Sequence, residues 1–175
     1  MFGRGEQRQE DFAAFVNAAS GYLTRTAFLL TGDRDAADDL VQEALVRTYA
    51  SWWRVRPADA RAYARRVLVN LNIDQRRRPA MLVWEAVDAT EARDPEGRID
   101  DRDELGRLLA QLAPQQRRVI VLRYFEDLSE AEIAACLGIS AGSVKSTCAR
   151  GLAALRKASV GARFEQRTSV LEELR

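Results

Sequence analysis

The sequence predicts an all-α protein in which two small helical domains are joined by an acidic linker. Gly and Pro are scarce, at ten and four of 175 residues, and no stretch alternates apolar and polar residues as a strand does. Long stretches instead place apolar residues three and four positions apart. This periodicity fails at residues 79–104, where nine acidic residues and three arginines give a net charge of −6. The predicted linker therefore separates residues 1–78 from a second domain at residues 105–158, which a tail at residues 159–175 follows.

The first two predicted helices each have one apolar face. The first helix runs from about residue 10 to residue 30, and its apolar face comprises Phe12, Phe15, Val16, Ala19, Leu23, Ala27 and Leu30. Gly32 ends this helix, and Asp33 or Asp35 is the expected N-cap of the next one. The core face of the second helix comprises Ala37, Leu40, Val41, Ala44, Leu45 and Thr48.

A third predicted helix, from about residue 58 to residue 78, carries an unusual polar stripe. Its core face comprises Ala60, Ala64, Val67, Leu68 and Leu71, and Pro79 marks its end. At about 100° per residue, four side chains lie within about 40° of Asn70 on another face. They are Tyr63, Arg66, Asp74 and Arg77. An aromatic ring beside arginines suits nucleic acid, because the ring stacks on an unpaired base while the arginines neutralise phosphates.

Trp52 and Trp53 immediately precede the connection to this helix, which passes through Pro57. Two adjacent tryptophans at this place are able to wedge into, or stack on, separated DNA strands. The alternative interpretation is that at least one of them belongs to the core of the first domain.

The linker and the second domain are predicted from changes in this pattern. The linker contains the apolar run 80–84, which favours docking against another surface over free solvation. The second domain begins with Leu105, Leu108, Leu109 and Leu112. Pro114 then opens a helix that buries Val119, Ile120, Leu122 and Phe125. Both domains are small, so neither is expected to be very stable alone.

Residues 129–157 predict a helix-turn-helix. Ser129 and Glu132 form a capping box, Gly138 suits the left-handed position after the first helix, and Ser140 caps the second. The inner face of the second helix comprises Val144, Cys148, Leu152 and Leu155. Its opposite face and flank comprise Lys145, Ser146, Ala149, Arg150, Ala153 and Lys157.

This small, polar and basic outer face is typical of a helix that recognises DNA in the major groove. Ala141, Gly142, Ser143 and Ala149 allow a close approach, whereas the side chains of the basic residues reach guanine edges or phosphates. The alternative is an ordinary helical hairpin with a solvated, charged face.

Composition excludes most catalytic sites. The chain has no histidine and two cysteines, so it holds no Ser/His/Asp triad, Cys/His pair or four-cysteine zinc site. No phosphate-binding Gly-rich loop is present either. Cys136 and Cys148 are too few for a disulfide framework, and apolar runs of at most five residues cannot span a membrane. We therefore expect a soluble cytoplasmic protein that is not an enzyme, binds no membrane and needs no cofactor or metal.

Three motifs in order resemble the extracytoplasmic-function (ECF) sigma factors, small two-domain members of the sigma-70 family. Within this group the chain is similar to the short Arg/Ala-rich type of high-GC actinobacteria. The motifs are DDLVQEAL (38–45), AYARRVLVNLNIDQRRR (62–78) and LAPQQRRVIVLRYFEDLSEAEIAACLGISAGSVKSTCARGLAALR (112–156). In that family they form the polymerase-binding motif, the −10-recognising and melting helix, and the −35-recognising domain.

The resemblance implies a role for each motif. Core RNA polymerase would be bound by Asp39, Leu40, Gln42 and Glu43, which alone would pass for a solvated acidic helix face. The −10 element of promoter DNA would be bound by Trp52, Trp53, Arg56, Tyr63, Arg66, Asn70 and Arg77. The −35 element would be bound by Ser143, Lys145, Ser146, Ala149 and Arg150. The resemblance also implies an acidic linker that threads through polymerase, and an anti-sigma factor as a further partner.

Two other functions fit parts of the sequence. A helix-turn-helix regulator that acts without core polymerase would need only the C-terminal third, but a receiver domain would need strands that the first hundred residues lack. A helical adaptor that bridges proteins would leave the arginine and aromatic stripe unexplained. We also expect that in the isolated chain the two domains pack against each other through surfaces that polymerase would otherwise occupy.

Overall fold

The computed structural model of the chain describes the backbone of residues 4–77 and 101–173, and the side chains of residues 6–75 and 105–158. Within those ranges it contains helices and no strand: α1 (Arg4–Thr31), α2 (Arg34–Ala50), α3 (Ala60–Arg77), α4 (Asp101–Ala110), α5 (Pro114–Tyr124), α6 (Glu130–Leu137) and α7 (Ala141–Glu173). Two 3-10 turns, Trp52–Arg54 and Pro57–Asp59, join α2 to α3. The predicted all-α class is confirmed. Most of the predicted linker lies outside the described residues, and its last four residues belong to α4.

The predicted helix ends are confirmed by their hydrogen bonds. Asp33 caps α2, with its Oδ1 accepting from the Ala36 N–H at 2.7 Å. Ser129 and Glu132 form the capping box of α6, in which the Ser129 N–H donates to Glu132 Oε2 at 2.9 Å. Because Ser129 donates to this carboxylate, the pKa of Glu132 is lowered. Gly138 ends α6 with a φ of 65°, a conformation that favours glycine.

The first block, residues 4–77, packs α1, α2 and α3 around a common core. Leu23, Leu40 and Leu68, one from each helix, are fully buried at its centre. The predicted faces of α2 and α3 supply most of this core, although Leu45 and Val67 are only half-buried. Since α1 already begins at Arg4, its first turns extend beyond the start that apolar periodicity predicted.

The second block, residues 101–173, packs directly on the first, and the two share one continuous core. Val69 lies about 100° around α3 from Leu68, on the side where Arg65 and Asn72 contact the second block, and it is 0% exposed. Asn72, which accepts from Arg118 of the second block, is 4% exposed. The ring of Phe28 lies so close to Gly106 that an added Cβ would be 2.7 Å from its Cε1 atom. Glycine at this position therefore lets α4 approach α1.

A buried arginine joins the blocks. Arg117 is 3% exposed, and its Nη1 donates to the Leu30 carbonyl of α1 at 3.0 Å, while its Nε donates to the Leu109 carbonyl of α4 at 2.6 Å. Both carbonyls lie in the last turn of their helices, where backbone acceptors lack helical partners and the helix dipole favours a cation. Arg117 thus connects three helices: it donates to the Leu30 carbonyl and is a second donor to the Leu109 carbonyl, which also accepts from the Leu112 N–H at 3.1 Å.

The α7 helix continues through most of the segment predicted as a tail. Its backbone is helical from Ala141 to Glu173 without interruption, so residues 159–173 extend the helix of the helix-turn-helix. The helix meets α5 closely at Gly151, where an added Cβ would be 3.1 Å from Ile120 Cγ1. Among the helices of residues 4–77 and 101–173, none combines the length with the hydrophobicity that a membrane span requires.

Replacing Arg117 by methionine tests its structural role. Arg117→Met keeps an unbranched side chain but removes two buried hydrogen bonds to helix-end carbonyls, and we expect a loss of about 2–4 kcal/mol in unfolding free energy. Calorimetric unfolding would measure this, with a decrease of roughly 2–4 °C in Tm for each kcal/mol. Arg25→Met, at an exposed position of α1, is the control and should leave Tm nearly unchanged. Equal Tm values for the two variants would contradict the role given to Arg117.

Candidate polymerase and nucleic-acid interfaces

The acidic face of α2 is the first exposed surface among the predicted site residues. Asp39 and Gln42 are exposed, and Glu43 is half-buried and paired with Arg47 at 2.5 Å. Leu40 is fully buried in the first block, so direct contact between its side chain and a partner is not possible in this structure. The prediction for Leu40 is corrected accordingly: its apolar side chain anchors α2 in the core, which fixes the direction in which its acidic neighbours point.

The two adjacent tryptophans have different surroundings. Trp52 is 8% exposed and packs against Phe12 and Phe15, with ring centroids 5.1 Å away in both cases. Trp53 is 64% exposed, and the Arg54 guanidinium lies 4.1 Å from its ring centroid. The predicted contact of Trp52 with DNA is therefore wrong for this structure, because Trp52 is a core residue. Trp53 presents an open aromatic face.

A groove of about 340 Å³ lies beside Trp53. Its lining combines Trp53, Val55 and Pro57 with Gln7, Arg8 and Asp11 from the first turns of α1. Arg8 donates to the Tyr49 carbonyl at 3.0 Å, and its buried Nε has no hydrogen-bond partner. No site role was predicted for these α1 residues. A signal for them was present in the spacing, because Arg8 lies four and seven positions before Phe12 and Phe15, as expected on one face of a helix that begins earlier.

The polar stripe of α3 lies on a side of the helix that neither the core nor the second block covers. Arg66 and Asn70 are exposed and Tyr63 is half-buried. Arg56, in the connection before α3, is exposed as well. The side chain of Arg77 lies outside the described residues, so its predicted place in the stripe remains a prediction. The exposed residues of the stripe and Trp53 are thus available for an extended polar ligand.

The outer face of α7 matches the predicted pattern of burial. Val144 and Thr147 are buried, at 1% and 4% exposed, and fix the inner side of the helix. The predicted DNA-contacting residues are all exposed: Ser143, Lys145, Ser146, Ala149 and Arg150. Arg150 donates to Thr147 Oγ1 at 3.2 Å, which orients its guanidinium along the helix surface. The first turn of α7 is capped by Ser140, which accepts from the Ser143 N–H at 3.1 Å.

Packing of the two blocks leaves these three surfaces exposed. The contacts between the blocks come instead from α1 and from the side of α3 with Arg65 and Asn72 in the first block, and from α4, α6 and the segment 117–126 in the second. The expectation that the blocks pack through the predicted polymerase-binding surface is therefore wrong for α2. Among the described residues, no group of three or more acidic or cysteine side chains could hold a metal ion. The exposed surfaces are suited to binding macromolecules.

Comparison with known proteins agrees with this geometry. The family model for sigma-70 region 2 matches residues 15–80, and that for sigma-70, region 4 matches residues 102–155. The RNA polymerase sigma-E factor of Streptomyces coelicolor is 39% identical over 168 residues, covering 93% of this chain and 94% of the relative. The ECF RNA polymerase sigma factor SigL of Mycobacterium tuberculosis is 35% identical, covering 82% of this chain and 85% of the relative.

Solved structures show the same fold. The sigma factor RpoE of Bartonella quintana, in complex with the anti-sigma factor NepR, matches with a TM-score of 0.65 and 25% identity, over 85% of this chain and 96% of that one. The ECF sigma factor SigJ of Mycobacterium tuberculosis matches with a TM-score of 0.58 and 28% identity, over 82% of this chain and 52% of that one. The matched region 2 contains α2 and α3, and the matched region 4 contains the helix-turn-helix. This chain belongs to the sigma-70 family, within its group of ECF RNA polymerase sigma factors.

Proposed function

We propose that this alternative sigma factor uses three separate exposed surfaces for promoter-specific initiation. The α2 face with Asp39, Gln42 and Glu43 binds core RNA polymerase. The α3 stripe, together with Trp53, binds the −10 element and assists strand separation. The outer face of α7 binds the −35 element. The observation that carries this proposal is that all three surfaces are exposed on helices whose opposite sides are fixed in the shared core.

The chemistry of each surface supports its proposed partner. Carboxylates on α2 suit a basic protein surface, and electrostatic complementarity favours fast and specific association. On the α3 side, Trp53 offers a face on which an unpaired base stacks, while Arg66 and Asn70 supply a cation and an amide. Binding an extruded base offsets part of its unstacking cost of a few kcal/mol. The groove with Arg8 lies beside that ring and adds hydrogen-bond donors.

The α7 face suits duplex DNA. Ser143, Ser146 and Ala149 are small, so the helix backbone approaches the base edges in the major groove closely. Lys145 and Arg150 supply the cations that contact guanine or phosphate. Residues 1–78 are thus the proposed region 2, and residues 105–158 the proposed region 4. The linker at residues 79–104 is proposed to follow a basic path through polymerase because of its negative charge.

The remaining expectations follow from this role. We propose that the chain catalyses no reaction itself and supplies promoter specificity to polymerase, in the cytoplasm where polymerase works. The related RpoE is bound to an anti-sigma factor in its solved structure. By analogy with RpoE, an anti-sigma factor is a proposed third partner of this chain.

Removing charge from α2 should weaken binding to polymerase. For Asp39→Ala with Glu43→Ala, we expect an affinity for sigma-free core RNA polymerase at least about tenfold lower, or about 1.4 kcal/mol. Fluorescence anisotropy of the labelled chain, titrated with core enzyme, measures this. The control Glu10→Ala with Glu130→Ala removes two other exposed carboxylates and should bind like wild type. Equal weakening in both would mean that net charge, not the α2 face, sets the affinity.

Two variants distinguish the structural tryptophan, Trp52, from the tryptophan proposed to bind DNA, Trp53. Trp53→Ala should fold normally but form strand-separated promoter complexes less well, by about 1–3 kcal/mol for the stacking interaction that it removes. Trp52→Ala should instead lower the unfolding free energy by about 3–5 kcal/mol, since it empties an aromatic cluster. Permanganate footprinting of unpaired thymines and thermal unfolding supply the two measurements. A destabilised Trp53→Ala variant would contradict this assignment.

Neutralising the α7 face should remove −35 specificity. The DNA is a promoter recovered by run-off transcription from random-sequence DNA, compared with the same DNA carrying a scrambled −35 element. For Lys145→Ala with Arg150→Ala, we expect the preference of holoenzyme for the intact promoter to fall at least about tenfold. Competition binding at fixed salt gives this ratio. Arg25→Ala with Arg107→Ala lies outside the proposed face and serves as the control. An unchanged ratio in the α7 variant would exclude this face as the −35 contact.

A further inference from the structure

A second groove, of about 580 Å³, lies between α1, the start of α2 and the second block. Its apolar side is formed by Phe28 and Leu29 of α1, Leu105 of α4 and Phe125 at the end of α5. Apolar periodicity predicted that Phe125 is buried, but its side chain is 42% exposed. The groove therefore presents apolar surface that the described residues leave partly uncovered, and its volume is typical of a binding pocket.

The position of Phe125 in this groove is fixed by the residue that follows it. The Glu126 side chain is 3% exposed and is held by the first block. Tyr22 donates its hydroxyl to Glu126 Oε2, Thr26 Oγ1 donates to Oε1 at 2.6 Å, and Arg65 Nη1 lies 3.5 Å from Oε2. Because these contacts anchor the end of α5 to α1, the exposed ring of Phe125 is a preformed wall of the groove.

Cations lie at the rim of the groove. Arg25 and Arg34 are both exposed and line it together with Asp38. An occupant that places apolar side chains against the aromatic wall and carboxylates near the arginines would match this distribution. The linker at residues 79–104 has this composition, because its apolar run 80–84 is followed directly by Glu85 and its net charge is −6.

The linker leaves α3 close to this groove. Arg118 donates to the Asn72 carbonyl of α3, and its neighbour Arg117 donates to the Leu30 carbonyl of α1, so the last turns of these two helices lie side by side. The apolar run 80–84 begins three residues after α3 ends. Its last residue is seven positions from that end, a distance that an extended chain spans over up to about 23 Å.

At its other end the linker enters the groove directly. Helix α4 begins at Asp101, and Leu105, about one turn later, lines the groove. Residues 85–100 connect the apolar run to α4, and an extended chain of that length spans roughly 50 Å. The run is therefore able to occupy the groove while the linker stays joined to both helices.

We propose that the apolar run 80–84 of the linker docks in this groove in the isolated chain, with the acidic residues that follow it beside Arg25 and Arg34. Burial of apolar side chains drives the docking, whereas exposed ion pairs at the rim contribute little free energy and mainly set the direction of the linker. Docking places the start of the linker next to the face proposed to bind polymerase, because Asp38 of the groove precedes Asp39 in α2. The inference itself does not rest on the proposed function.

Trp84 belongs to the apolar run, so its fluorescence reports on docking. In a Trp53→Phe background the other tryptophan, Trp52, is 8% exposed, and acrylamide quenching therefore reports mainly on Trp84. Phe125→Asp removes an aromatic wall of the groove and adds a charge that repels the acidic linker. Tyr124→Asp is the matched control, because it makes the same change at a neighbouring aromatic residue that is 56% exposed and does not line the groove.

A second pair of variants changes only the linker, so that both blocks stay intact. Leu82→Ser removes an apolar side chain from the run, and Ile99→Ser, at the other end of the linker, is its control. The docking position is mapped in the full chain with the photo-cross-linker benzoylphenylalanine in place of Trp84. Peptide mass spectrometry then identifies the cross-linked residues.

The proposal predicts stronger quenching of Trp84 in Phe125→Asp and Leu82→Ser, corresponding to docking at least about tenfold weaker, as expected when one large apolar side chain is lost from a buried contact. Tyr124→Asp and Ile99→Ser should be quenched like the background chain. Cross-links should lie within one chain, on the segment 21–38, on Leu105 or on Phe125. Equal quenching within both pairs, or cross-links elsewhere in the chain, would overturn the proposal. Cross-links between two chains would also overturn it and assign the groove to a second copy.

Discussion

Helix α3 meets three different environments at once: the core of the first block, the second block and solvent. The placement of the other helices depends on these contacts of α3. Consecutive residues on a helix differ in direction by about 100°, so a single turn presents separate faces to separate partners. Leu68 is buried in the core of the first block, Val69 is buried on the side where Arg65 and Asn72 contact the second block, and Asn70 faces solvent. This distribution lets one helix support the fold, hold the second block and keep a polar stripe open.

Charges of opposite sign are also placed on separate surfaces of the protein. The chain has a net charge of only +1, yet its exposed acids on α2 and its exposed basic residues on α3 and α7 lie on different helices. A nearly neutral protein can therefore present one sign of charge to a protein partner and the other to DNA. The buried charges serve a different purpose. Arg117 and Glu126 are each paired with several groups of the opposite block or of neighbouring helices, as burial of an ion requires.

Local features of this fold were predictable from the sequence because local chemistry determines them. Asp33, Ser129 and Gly138 end or begin helices through contacts within a few residues, and the structure has them at those places. The outer face of α7 was predictable for the same reason, since apolar periodicity defines the opposite side. Trp52 was not separable from Trp53 by pattern, because its burial depends on Phe12 and Phe15, about 40 positions earlier.

Long-range polar contacts escaped prediction altogether. Glu126 lies 104 positions from Tyr22, and Arg118 lies 46 positions from Asn72. Nothing in the spacing of charged residues identifies such partners, because a buried ion pair has no periodicity of its own.

The most direct test of the sigma-factor function is run-off transcription from random-sequence DNA by core polymerase with and without the chain. We expect new start sites that share two sequence elements at one fixed spacing, and the same start sites in both reactions would contradict this function.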